Sequence, residues 1–177
     1  MADTMNFSLY DALVPSWLQI LHSARGLMHK AETHCTVQKL EPTRLIDARL
    51  ALDMYPLGRQ VKCIVMHSVG AIEAVRQGAC TPDRSPWPDS FSGLCESLES
   101  ATARLSNIHP TEVDGFIGHT VRFEAGSYKA EFLAENFLLS YSLPNFYFHA
   151  TTAYDILRAQ GLAIGKIDFL GNLRCGV

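Results

Sequence analysis

The chain has no run of about 18 apolar residues, the length a helix needs to cross a bilayer, so a membrane-spanning reading is excluded at the outset. Its first residues, Met1 to Val14, carry Asp3 and Asp11 but no basic stretch followed by an apolar one, and no secretory leader is expected. An excess of one sign of charge is also missing. The 15 basic and 18 acidic residues are spread along the sequence for a net charge of −3, which leaves no basic face for phosphate backbones or anionic lipid. Neither nucleic acid nor membrane is expected as a partner, and the lack of targeting signals points to the cytoplasm.

The sequence is equally poor in ready-made chemical motifs. Its five cysteines, Cys35, Cys63, Cys80, Cys95 and Cys175, are odd in number and irregular in spacing. Without CxxC or a paired framework they read as free thiols in a reducing compartment. Neither HxxxH nor HExxH occurs, and Gly115, Gly118 and Gly126 are not followed by the Lys-Ser/Thr pair of a phosphate loop. Internal repeats and low-complexity tracts are absent too.

What is present is a substantial core. With 177 residues, 47% of them hydrophobic, the chain suits a single domain, residues 1–177. From Trp17 the apolar positions Ile20, Leu21, Ala24, Leu27, Met28 and Ala31 form one helical stripe, with Pro15 expected in the first turn and Ser8 to Val14 as a preceding or kinked extension. Glu41-Pro42-Thr43 is placed to open a short helix. A second long helix is expected from Pro56 to Arg76, striped by Leu57, Val61, Ile64, Ser68, Ile72 and Val75, with Gln60 and His67 together on one shoulder. Gly78, Pro82, Pro86 and Pro88 make Gln77 to Asp89 a loop. Leu94, Leu98, Ala101, Leu105 and Ile108 mark a third helix from Ser90 to Asn107.

Alternation then replaces the helical period. Val121 and Phe123 precede Ala125-Gly126-Ser127, and Tyr128 and Phe132 follow it, as in a short β-hairpin. The last helical region spans Leu133 to Gln160, kinked at Pro144 and capped by Gly161. The expected fold is all-α: an antiparallel four-helix bundle with a short hairpin before the last helix and a small-molecule pocket between facing helices.

On the last helix Asn145, Phe146, His149, Ala153, Ile156 and Leu157 share a face, so the His149 imidazole is aimed at the core. A buried imidazole needs a partner, and Asn145, Gln60, Asp53 or a water are the candidates; Asp53 would also raise its basicity. His149 with Asp53 is therefore the candidate catalytic pair. Gln60, Asn145, Tyr147, Tyr154 and Trp17 are candidate substrate contacts, with Tyr55 a further residue for the interhelical space. The competing reading makes His149 a core histidine that stitches two helices together. A transition-metal site is weakly supported: Asn145 and His149 have helical ligand spacing, with Asp53 or His67 as a distant third group, but Asn is a poor zinc ligand.

The segments Asp53-Met54-Tyr55-Pro56-Leu57 and Leu143-Pro144-Asn145-Phe146-Tyr147-Phe148-His149-Ala150-Thr151-Thr152-Ala153-Tyr154 resemble an uncharacterised branch of the DinB-like superfamily. The likeness runs from Leu9-Tyr10-Asp11 and Pro15 to Gly165-Lys166-Ile167-Asp168-Phe169-Leu170-Gly171. It implies a four-helix bundle, commonly a homodimer. Many members hold a divalent metal with one His from the second helix and two from an HxxxH on the last. His149 matches the second histidine of that pair, Asn145 stands at the first, and Gln60 is nearest to the helix-two ligand, so two of the three ligands are replaced. Characterised relatives are thiol-dependent isomerases and transferases and metal-dependent hydrolases, and the resemblance fixes no reaction.

The leading expectation is an enzyme for a small organic substrate, an isomerase or lyase working without a metal or other cofactor through His149. A divalent-metal- or thiol-dependent transferase or hydrolase is the first alternative. A non-catalytic ligand-binding or dimerisation module is the second.

Overall fold

The computed structural model describes residues 8–175. Residues 1–7 and 176–177 lie outside the described residues, and with them Asp3 and half of the stretch read for a leader. Helix α1 (Leu9–Gln38) begins at Ser8, whose hydroxyl accepts from the Asp11 N–H while the Asp11 carboxylate accepts from the Ser8 N–H. That reciprocal cap starts the helix earlier than expected, so Pro15 is inside it rather than in its first turn. The helix runs on through the proline because Leu13, Val14 and Trp17 around it are fully buried, and tertiary packing outweighs the lost hydrogen bond.

A short α2 (Thr43–Ile46) follows, and the expected second helix is split into α3 (Leu57–Met66) and α4 (Val69–Gln77). The break falls at Ser68, whose buried hydroxyl donates back to the Ile64 and Val65 carbonyls and bends the chain there. Gly78, at φ 64°, caps α4 and turns into a two-residue strand β1 (Ala79–Cys80) within the segment expected to be loop. α5 (Phe91–Ser106) starts from the Ser90 hydroxyl cap close to where the stripe places it, and α6 (Pro110–Asp114) is a single turn.

The hairpin is present as β2 (Thr120–Ala125) and β3 (Tyr128–Leu133), paired antiparallel from Thr120↔Leu133 to Ala125↔Tyr128. β1 adds to it in parallel, Cys80 opposite Phe123, so the fold is mostly helical with a three-stranded sheet and not all-α. A one-turn α7 (Ala134–Asn136) leads into a π-helical segment, Phe137–Ser142, and then α8 (Leu143–Ala159). Pro144 therefore stands in the first turn of α8, where no N–H is needed, and the irregularity expected at the proline is displaced upstream. Gly161, at φ 89°, closes the helix, and α9 (Lys166–Leu170) is held to α1 by the Lys30–Asp168 ion pair. No helix among the described residues is long and apolar enough to cross a membrane.

Helices α1 and α5 pack together, as do α3 and α8; α3 also meets α5, and α1 meets α8, around one continuous core. A Cβ at Gly58 would run into the Trp87 indole, so only glycine lets the 81–90 loop lie against α3. That close approach brings Asp83 and Ser85 over the first turn of α3.

Candidate functional site

A cavity of about 230 Å³ opens between α3, α8 and the π-helical segment. Its walls include Tyr55, Arg59, His67, Tyr141, Asn145 and His149, with the Cys63 and Cys80 thiols beside them. His149 is buried from α8, and its Nδ1 lies 2.6 Å from Oε1 of Gln60 on α3. The Gln60 amide is oriented in turn, because its Nε2 donates to the Tyr55 carbonyl at 3.0 Å. With the amide oxygen facing the ring, Nδ1 of a neutral His149 carries the proton and donates. Nε2 then keeps its lone pair and makes no hydrogen bond among the described residues.

Two rings stack near this imidazole. The His67 centroid lies 5.5 Å away with planes 14° apart, and the Tyr55 centroid 6.4 Å away with planes 19° apart. Burial, and then the nearby Arg59 guanidinium, lower the His149 pKa to about 4. Burial, and then His149, bring His67 to about 4 as well. Both imidazoles are thus neutral at neutral pH. Burial also raises the Cys63 and Cys80 thiols and pushes the Tyr141 hydroxyl up to about 12, so none of the three is ionised there.

Of the residues singled out from sequence, His149, Gln60 and Asn145 are brought together. The Asn145 side chain lines the cavity and donates from Nδ2 to the Tyr141 carbonyl at 2.8 Å. Asp53 is not with them. It is exposed in the turn ahead of α3 and neither lines the cavity nor bonds His149, and the uncharged Gln60 amide stands where a carboxylate was expected. Trp17 is fully buried in the core against Phe146 and does not line the cavity. Tyr147 lies at the surface with its ring edge to Phe146, and Tyr154 is half-buried against Phe169 of α9. Tyr147 and Tyr154 lie outside the cavity because α8 gives only the face of Asn145 and His149 to it, and Trp17 belongs to α1, which contributes no residue to its walls.

Sequence reasoning passed over Arg59, Tyr141 and the full part played by His67. His67 follows Gln60 by seven residues and so lies on the same side of the helix, whereas Arg59, directly before Gln60, points to a neighbouring face and has no signal in the spacing. The signal for Tyr141 is absent from any α-helical period, because the π turn re-aims it.

The three positions that correspond to DinB-like metal ligands do not fit a three-imidazole centre. Gln60 and His149 are bonded to each other, the Asn145 amide nitrogen is turned to the chain, and the parallel His67 and His149 rings do not converge on a point. Among the described residues no group of three His, Cys, Asp or Glu is arranged to hold a metal ion.

No curated protein matches the chain. The fold is similar to the crystal structure of a DinB family member protein from Shewanella denitrificans, with a TM-score of 0.80 and 25% identity over 96% of this chain and 95% of that one. The model of the family described as Domain of unknown function (DUF1993) matches residues 9–170, and the chain therefore belongs to that family, a DinB-like domain.

Proposed function

We propose that the protein is a small-molecule enzyme of isomerase or lyase type, with Nε2 of His149 as the group that takes and returns a proton. The observation that carries this reading is the relay from the Tyr55 carbonyl through the Gln60 amide to His149 Nδ1, which selects one tautomer and leaves Nε2 as a free base in the cavity.

The low proton affinity shapes the chemistry. An imidazolium formed here is buried beside Arg59, so it is a strong acid and hands its proton back readily. Removal of a proton from an activated carbon and its return to a neighbouring atom, as in isomerisation, suits such a group better than holding a proton through a long-lived intermediate. Asn145 and Tyr141 flank the cavity as hydrogen-bonding groups for a substrate oxygen. The architecture that goes with this reading is an antiparallel four-helix bundle of α1, α3 with α4, α5 and α8. A cytoplasmic homodimer is the assembly, to be measured by analytical ultracentrifugation.

The test is deuterium exchange from D2O into a panel of small aldehydes, ketones and keto acids, followed by NMR. Native protein is expected to catalyse exchange into at least one class, and His149→Ala to lose it while retaining the native circular dichroism. Exchange that persists in the variant, or none across the panel with native protein, counts against the reading.

A further inference from the structure

The cavity's charge is one-sided. Arg59 is only 8% exposed, and its guanidinium donates to two backbone carbonyls, those of Asp83 at 2.6 Å and Ser85 at 3.3 Å. It also lies over the Tyr55 ring at 5.3 Å. It has no carboxylate partner among the described residues. The carboxylate of Asp83, whose backbone carbonyl Arg59 binds, is already engaged by Lys62 Nζ at 2.6 Å and by the Ser85 N–H at 2.7 Å, contacts that hold it well below the usual carboxylate range. No Asp or Glu lines the cavity, and both of its imidazoles are neutral.

A guanidinium this deeply buried without a counter-ion is costly, and an anion entering the cavity relieves that cost. Ser142 lines the same cavity, and its fully buried hydroxyl has no hydrogen-bond partner among the described residues. An uncompensated positive charge and an unsatisfied hydroxyl in the residues around one cavity mark a place made for a ligand's polar head.

We infer that the cavity binds a small monocarboxylate, its carboxylate on Arg59 and its apolar body between the Tyr55, Tyr141 and Phe137 rings. This rests on reading the cavity as the substrate site. One net positive charge matches one negative charge, and a planar guanidinium fork matches a carboxylate edge. The volume, roughly eight waters' worth of liquid, sets the size class.

The test is calorimetric and NMR titration of the full chain with sodium benzoate, its neutral isostere benzamide, and inorganic phosphate. Benzoate is expected to bind at least tenfold more tightly than benzamide and than phosphate. Arg59→Gln should abolish the preference, and Arg59→Lys should keep part of it. The native-protein comparison decides the matter even where Arg59→Gln fails to fold. Equal binding of benzoate and benzamide, binding of neither, or a preference for phosphate overturns the inference. Its fate is separable from that of the acid/base reading: a benzoate preference in a protein whose His149→Ala variant still exchanges deuterium sinks the proton-transfer role and leaves the carboxylate site standing.

Discussion

The α1–α5 pair and the α3–α8 pair share one core yet are built differently. Between α1 and α5 the buried groups are Leu13, Trp17, Leu21, Met28, Leu94, Leu98 and Leu105 and their like, with Ser23 the only buried polar residue on either helix. Between α3 and α8 the same kind of apolar stripe is interrupted by Arg59, Gln60, His149 and Thr152. Each of these four has a named partner: backbone carbonyls for Arg59, Gln60 and Thr152, and Gln60 for His149. The difference teaches that the α3–α8 interface takes in these four polar groups with a hydrogen-bond partner for each, and that such anchoring makes a site out of a packing face.

The comparison is broken most severely on the dry side. Trp17→Ala removes a fully buried indole and is expected to destabilise the fold by about 3–5 kcal/mol in urea unfolding, without altering the NMR signals of His149 apart from that loss of stability.

Acid should act on the other pair. His67 and His149 take a proton near pH 6.5 when unfolded but only near pH 4 in the fold. Between those values the unfolded chain binds more protons, so stability falls as the pH drops through this window and levels off below about 4. The expected loss is roughly 2–4 kcal/mol, read from melting curves between pH 7 and pH 4, and a His67→Phe/His149→Phe double variant should flatten the dependence.

Gln60→Leu gives the smallest and sharpest effect. It leaves His149 Nδ1–H without a buried acceptor, at about 1–3 kcal/mol, and should mix the two tautomers in ¹⁵N spectra of the imidazole. Asp53→Asn is the control: exposed and remote from the ring, it should change stability by no more than about 0.5 kcal/mol and leave those spectra alone. An Asp53 effect equal to that of Gln60 would show that the site is organised as the sequence first implied.

The features readable in advance were those set by neighbours a few residues apart. The stripes of α1 and α5, the Gly126 hairpin turn, the Gly161 cap and the inward aim of His149 all follow from period and turn chemistry. The misplacements have a common cause. Ser68 splits a helix whose apolar stripe continues unbroken, because the back-bonding hydroxyl is invisible to a hydropathy pattern. Arg59 drew no notice in the sequence, yet it is covered by a loop that reaches it only because Gly58 admits Trp87. Asp53 was favoured for its chemistry and is excluded by geometry.

Residue order alone settles where α5 begins and ends to within a turn, and which face of α8 is inward, since backbone periodicity and caps are local. Tertiary structure decided the rest: that His149 takes Gln60, 89 residues away, rather than Asp53, that β1 joins the hairpin in parallel, and that Arg59 is left without a carboxylate. A hydrogen-bond partner is chosen by distance in space, and only the packed helices set that distance.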